Sequence, residues 1–461
     1  MPIGSHRPRP GRLLDAIVMT LLLFVFVGLA VYHFRRLDGL QVNPNRPSAE
    51  TDQKLAAQPF AGYDWPQWRG PNRDGVSTET AILSDWPPGG PKVLWQAKTG
   101  EGFASVAVAK ERVFTIFQDG DFESIVSWNA ETGKEIWRYS YPERYINSYG
   151  NGPRSTPSID GDYLFAVGAK GSMHCLKAFS DNPHGELVWE KKLLTEFGAE
   201  TPRWGVSFSP LVEGERIYIM PGGPGGNSLA ALDKRTGAVV WKQHDDLAGY
   251  SSPIAATFHN KRQILFLTGN RLISVDPDSG VQLWDYSWPV ENECNIATPI
   301  VEKDYVFIAS GYGRGYVMMR IDKDGDMMKP RYEHKNRKAM RNHFSTCVRC
   351  RDHLYGFDDS TLMCMNFLTG KIEWKERGQA RGFPRGFDKG SVLLVNDHLI
   401  IYGASGVLAL AGANPTAYVE KSRFQFSAQT HSCWSVPVVS NGRLYVRDQE
   451  RLVCFDVKQK N

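Results

Sequence analysis

Cysteine is scarce and irregularly placed. Cys175, Cys294, Cys347, Cys350, Cys364, Cys433 and Cys454 form no adjacent pair and keep no regular spacing, which excludes a disulfide framework. The motifs G-x-S-x-G and H-E-x-x-H and any Cys/His set with zinc spacing are also missing, so the common hydrolase and zinc mechanisms have no carrier here. Charge of neither sign dominates. The net charge is +4, with acids and bases interspersed, and a nucleic-acid partner would want a clustered basic surface.

What is present begins with an apolar run. Residues 1–12 form a basic tail with Arg7, Arg9 and Arg12, and residues 13–34 are almost wholly apolar. Twenty-two residues of helix span roughly 33 Å, enough for a bilayer core. An uncleaved transmembrane anchor is the expectation. The competing reading, a cleaved signal peptide, meets a run that is long for one and no small-x-small site after it. Three arginines before the span, against Arg35 and Arg36 after it, favour a cytoplasmic N-terminus. The rest of the chain would then lie outside the cytoplasm, in the periplasm. Residues 35–62 are polar and read as a flexible linker. Residues 63–91, opening with WPQWRGPNRDGVS (65–77), read as a packed irregular lead-in.

From residue 92 the chain repeats. NAETGKEIW (129–137) returns as DKRTGAVVW (233–241), DPDSGVQLW (276–284) and NFLTGKIEW (366–374). Asp or Asn opens a tight turn by bonding its own backbone, Gly supplies the positive φ that closes it, and β-branched or aromatic residues start the next strand. Trp95, Trp137, Trp189, Trp241, Trp284 and Trp374 are separated by 42, 52, 52, 43 and 90 residues, the last gap being two units. In the skipped unit Tyr332 is expected to replace the tryptophan. Such periods mark a repeat array with four strands per unit, and 44 glycines suit an all-β chain with many turns. The last unit stops after three strands, while KVLWQAK (92–98) is an isolated fourth strand at the start. The expectation is an all-β, eight-bladed propeller of four-stranded antiparallel blades over 92–457. Its N-terminal strand would close the ring, leaving no free edge between first and last blades.

The form S/T-x-P, two apolar strands, then D-x-x-T/S-G-x-x-x-W resembles the pyrroloquinoline-quinone (PQQ)-type β-propeller repeats over residues 92–456. That family includes quinone-dependent alcohol dehydrogenases and a non-enzymatic lipoprotein of the outer-membrane β-barrel assembly machinery. The lead-in, with YGNGPRSTPSIDGD (149–162), is similar to a group of membrane-anchored or secreted bacterial PQQ-like proteins. Two departures stand out. The dehydrogenases' adjacent Cys-Cys pair is missing, and no cysteine precedes Cys175 to carry the lipoprotein's lipid. No family catalytic residue carries over.

Several constellations have bland readings. Cys347 and Cys350 lie three steps apart on an expected inner strand, about 10 Å between Cα atoms and facing opposite ways, so they read as core filling. Cys175, Cys364 and Cys454 share one repeat position with Ser127, Ala231, Ser274 and Ala409, a position that wants a small residue. Asp322, Asp324 and Asp326 superficially match a calcium loop, but Met327 stands where its glycine should be, and no metal site is assigned. Pro221–Gly226 lacks the lysine and helix of a phosphate cradle.

The strongest set lies in the connections that lead from each outer strand to the next inner strand. Arg154, Arg203, Trp204, Tyr250, Asn295, His343, Arg385, His431 and Trp434 should gather around one mouth of the axial channel. Aromatic planes with cationic and amide donors could bind an anionic cofactor, a sugar or an extended peptide. The bland alternative is that they pin loops and plug the channel. The functional expectation is a binding or scaffold module for a protein or glycan partner in the cell envelope, with no catalytic residue assigned. The alternative that the resemblance implies is a PQQ-dependent oxidoreductase, with PQQ and calcium as cofactors.

Overall fold

The recurring turn is built as its residues dictate. Asn129 Oδ1 accepts from the backbone of Glu131 and Thr132 and from the Thr132 hydroxyl, at 2.9–3.1 Å. Asp233 and Asp276 make the same turn in their own repeats. Burial alone would raise these two carboxyls, but the bonds from Thr236 and Ser279 hold both below the usual range.

The computed structural model describes residues 62–380, 382–383, 386–427 and 433–459. The expected basic tail, the expected anchor at 13–34 and all but the end of the expected linker fall outside them. Among the described residues no helix is long and apolar enough to cross a membrane.

Eight sheets follow one another, each with antiparallel strands A to D, which come in sequence order in the first seven. In blade 2 these are Ser158–Asp160, Tyr163–Val167, Ser172–Lys177 and Leu187–Lys192. Blade 8 takes A to C from Val438–Ser440, Arg443–Arg447 and Arg451–Asp456, and its D strand from Lys92–Lys98. Trp95 pairs with Cys454 and Lys98 with Arg451, so the chain's first long strand closes the ring as expected. Buried Arg447 reinforces this seam by donating to the carbonyls of Ala104 and Ile116 in the neighbouring blade 1, at 2.9 and 3.1 Å.

Two devices hold adjacent blades together. At the outside, each D-strand tryptophan lies opposite the small residue of strand C, as in Trp189 beside Cys175 and Trp241 beside Ala231. Its indole N–H then reaches the next blade. Trp95, Trp137, Trp189, Trp241 and Trp374 donate to the carbonyls of Ala130, Ala178, Lys234, Pro277 and Asn414 at 2.9–3.2 Å. For Trp95, Trp189 and Trp241 the turn glycine of that next blade, Gly133, Gly237 or Gly280, packs on the same indole. At the inside, a hydroxyl spans every junction. Ser105 N–H donates to Thr156 Oγ1, Thr156 N–H to Ser209 Oγ, Ser209 N–H to Ser252 Oγ, and Thr298 N–H to Thr346 Oγ1. Ser251, Ser345, Ser391 and Ser105 hydroxyls donate across the remaining four junctions, to Ala297, Gly390, Ser435 and Val436 carbonyls.

Blade 5 departs from the pattern. Tyr332 does not replace the tryptophan. It is 48% exposed and pairs with Met319, past the bulge, while His334 lies opposite Met318, the place where blade 1 sets Trp137 opposite Ser127. Tyr316 and His334 instead meet the turn glycine Gly370 of blade 6. The indole of Trp284, facing a blade 5 turn of different form, bonds Gln263 Oε1 of its own blade at 2.8 Å.

The lead-in proves to be the axle of the ring. It enters from the side of the A-to-B turns, where Asp64 accepts from Lys110 N–H and Tyr63 O from the Ser440 hydroxyl. Trp65 pairs with Val108 of blade 1, and Pro66 O accepts from Ile159 of blade 2. Arg73, only 4% exposed, donates to Ser209 O at 3.1 Å and to Pro210 O beside blade 3, and to Pro253 O at 3.0 Å beside blade 4. Trp68 donates to Thr298 Oγ1 beside blade 5, and Arg69 to Thr346 O and Cys347 O beside blade 6. Val76–Ser77 then adds a short parallel strand to blade 7, and Glu79 accepts from Gly442 N–H of blade 8. Burial pushes Arg73 down to about 9 and Arg69 to about 10, so both stay cationic at neutral pH and strengthen these bonds.

Two glycines separate backbone strain from packing. Gly120 and Gly133 have φ of 62° and 69°, but a Cβ at Gly120 meets nothing within 4 Å, whereas one at Gly133 meets the Trp95 indole at 2.5 Å. Gly120→Ala should cost about 1 kcal/mol from left-handed strain. Gly133→Ala should cost about 1–3 kcal/mol more, because the Trp95 latch must shift. Denaturant unfolding of the two variants measures the difference, and equal costs would contradict the packing role.

Candidate functional site

Strand A of every blade runs away from the mouth, so the residues just before it stand around the axis on one face. All eight of these connections contribute to a single cavity of about 400 Å³. Blade by blade they supply Phe103; Tyr149 and Arg154; Trp204 and Ser207; Tyr250 and Ser252; Cys294 and Ile296; His343 and Phe344; Lys389; and Trp434. Tyr312 adds a wall from the B-to-C loop of blade 5, and Trp68, at the tip of the axle, is the lead-in's contribution. Because the lead-in enters from the opposite face, Trp68 closes the cavity's inner end.

The walls are aromatic on two sides. Trp434 packs between Phe103 and Phe344, with ring centroids 4.9 and 5.1 Å away. Trp204 packs between Tyr250 and Tyr149 at 5.6 and 6.2 Å. The polar groups are few. His343 stacks on Tyr312 at 5.0 Å, and burial, with Lys389 nearby, lowers its pKa and favours the neutral ring. Lys389 faces Asp359 at 3.2 Å. Burial pushes the Cys294 thiol up to about 11, which leaves it protonated and unreactive. No carboxylate or carboxamide is among the described residues that line the cavity. Nor is there, among the described residues, a group of three or more His, Cys, Asp or Glu placed to hold a metal ion.

Of the nine residues expected at the mouth, Arg154, Trp204, Tyr250, His343 and Trp434 line the cavity together. Arg203 stays on the rim, its guanidinium 5.0 Å from the Trp204 ring and bonded to Asn292 Oδ1. Asn295 does not reach the cavity. It is fully buried, donating to the Thr268 and Trp288 carbonyls and accepting from the Ser310 hydroxyl, so it fixes the loop. Arg385 and His431 lie outside the described residues. Sequence reasoning missed Phe103, Tyr149, Tyr312, Phe344 and Lys389. Phe103, Phe344 and Lys389 were findable, since each lies a few residues before an inner strand in a connection of known place. Trp68 carried no such signal, because nothing in the lead-in announces that it threads the channel.

A family model described as outer membrane protein assembly factor BamB matches residues 86–173 and 147–376. A comparison with curated protein sequences found no match. Among solved structures, BamB from Moraxella catarrhalis is similar over 80% of this chain and 99% of its own, at 15% identity and a TM-score of 0.52. Sqt1 from Saccharomyces cerevisiae is similar over 83% of this chain and 100% of its own, at 11% identity and a TM-score of 0.52. A quinohemoprotein alcohol dehydrogenase from Comamonas testosteroni overlaps 86% of this chain and 81% of its own, at 11% identity and a TM-score of 0.45. At these identities the first two likenesses are of fold alone, and the third carries no argument.

Behind the cavity wall lies one buried acid. Glu123 is fully buried, accepting from the Tyr141 hydroxyl and from Ala169 N–H at 3.0 Å. Burial outweighs those bonds and pushes its carboxyl up to about 7. The folded state therefore holds a proton that the unfolded chain gives up near the ordinary glutamate pKa. Stability from this group is present below that ordinary value and is lost as pH rises towards 7. Glu123→Gln should flatten the fall in stability between about pH 4.5 and 7 and leave the variant the more stable of the two at pH 8. Urea unfolding across that range checks it, and an unchanged slope would contradict the protonated carboxyl.

Proposed function

Because the chain belongs to the PQQ-like repeat family of the outer membrane protein assembly factor BamB, we propose that it is a protein-binding scaffold of the cell envelope, whose partner docks over the mouth of the axial cavity. In this reading residues 13–34 hold it at the membrane and the propeller lies outside the cytoplasm. The observation that carries the docking site is the cavity itself: all eight mouth connections converge on one aromatic-walled slot. Around it, Ile146 and Tyr149 of one connection and Leu247 of another are 57–58% exposed. Aromatic and aliphatic anchors around a preformed pocket are the usual centre of a protein interface.

The two other readings find less support. The described lining offers a sugar hydroxyls, an imidazole and cations, but no carboxylate or carboxamide to accept strongly from its hydroxyls. A PQQ-dependent reaction of the kind the family resemblance implies asks for calcium ligands and a carboxylate base near the quinone. The described lining has no carboxylate, so the donor set does not fit that pair of cofactors, and no redox step is drawn through it.

Site-specific photo-crosslinking tests the docking face in the native host. A crosslinking side chain at Leu247, on the mouth, should give discrete adducts with protein. One at Asp162, in an A-to-B turn on the opposite face, should give none. Trp434→Ala should reduce the mouth adducts by at least about tenfold, as expected for a central anchor. Adducts formed from Asp162 alone would contradict the reading.

A further inference from the structure

Arg154 stands in the cavity wall, and among the described residues no carboxylate is hydrogen-bonded to it. Its guanidinium donates to the carbonyls of Gly150, at 2.7 Å, and Gly152. It lies 4.9 Å from the Tyr145 ring centroid and 5.4 Å from that of Phe103. Among the described residues no carboxylate forms an ion pair with it, whereas Lys389 across the cavity has Asp359. Glu123, the acid behind the wall, is buried and bonded to Tyr141 and Ala169; it acts on Arg154 through its charge and makes no hydrogen bond to it. A buried cation whose hydrogen bonds go only to carbonyls can still take a carboxylate from the slot as its direct partner.

The rim carries both signs, with Glu291 and Glu293 beside Cys294 and arginines on the neighbouring loop. Arg314, in the B-to-C loop of blade 5, lies over the Trp288 ring at 4.1 Å, and its Nε is buried without a hydrogen-bond partner. Its neighbour Arg337 bonds the Gly313 carbonyl at 3.4 Å. A ring-walled cavity with a cation in its wall and no acid lining it complements a planar apolar group with a carboxylate next to it.

On the protein-docking reading above, we propose that the cavity takes an aromatic side chain of the partner polypeptide whose adjacent residue is Asp or Glu. The ring enters between the Trp204 and Trp434 walls, and the carboxylate pairs with Arg154. The cavity size suits a ring with part of its backbone, falling within the usual range for small-ligand pockets. Arginine's planar fork suits the carboxylate, and the bonds to Gly150 and Gly152 fix its plane while using two of its five donors.

Three blocked tetrapeptides, with Phe-Asp, Phe-Asn or Leu-Asp at the centre, test the proposal by titration of the purified full chain, read by calorimetry and tryptophan fluorescence. Phe-Asp should bind at least about tenfold more tightly than either control. Arg154→Gln should erase the preference for Phe-Asp over Phe-Asn, and Arg154→Lys, which keeps the charge, should retain part of it, with thermal unfolding confirming that both variants fold. Equal binding of the three peptides would overturn the proposal, as would a preference that survives Arg154→Gln. If no peptide binds while crosslinks from Leu247 to protein persist, the ligand chemistry fails and the docking face stands. If both are missing, the docking reading fails with it.

Discussion

Eight inner strands converging on one axis leave a problem that a propeller must solve. Several of them are only three residues long, and the carbonyls just before them point inward with no strand to receive them. Here two buried guanidiniums answer it. Arg73 caps the entries of blades 3 and 4, and Arg69 that of blade 6. The peptide that carries them pairs directly with blades 1, 2 and 7. Arginine suits this place because five donors on one rigid plane can satisfy several carbonyls at once and the charge makes each bond stronger. The positive charge is tolerated because carbonyl dipoles surround it, but removal of one side chain would orphan several buried acceptors together.

The same residues that fix the axle also fix the mouth. Ser209 is bonded to Arg73 through its carbonyl and to Thr156 and Ser252 through the hydroxyl relay, and it lies two residues beyond Ser207 of the cavity lining. Thr298 and Thr346 are similarly shared between the relay, Trp68 and Arg69. The slot is thus preformed by the interior, and a partner would meet walls that need little ordering on binding. The outer tryptophan latches act on a different radius. They set the spacing between blades, and the small residue opposite each indole and the turn glycine of the next blade are what let it lie flat.

Much of this was legible because it repeats. The turn glycines, the tryptophans and the small residue of strand C recur at fixed offsets, and that recurrence yields the blade count and the seam between Lys92–Lys98 and Arg451–Asp456. Blade 5 was misread at Tyr332 because its C-to-D hairpin is longer than those of the other blades and carries the place opposite Met318 on to His334, which spacing alone cannot show. The mouth was read in outline from the connections, with Arg154, Trp204, Tyr250, His343 and Trp434 in place. Asn295 was misjudged because an amide in a connection is as able to pin its own loop as to greet a ligand. The axle was invisible for a physical reason. WPQWRGPNRDG occurs once, and buried arginines look in sequence like exposed ones until the carbonyls that receive them are known.

The dependence of the mouth on the axle can be measured by amide hydrogen exchange on Arg73→Met beside the unaltered chain. The account predicts that protection falls at the entries of all eight inner strands, including the segments around Phe103, His343 and Trp434 far from Arg73, while the tryptophan-latched outer strands change little. Loss confined to the entries of blades 3 and 4 would mean that each blade holds its own part of the mouth, and would contradict it.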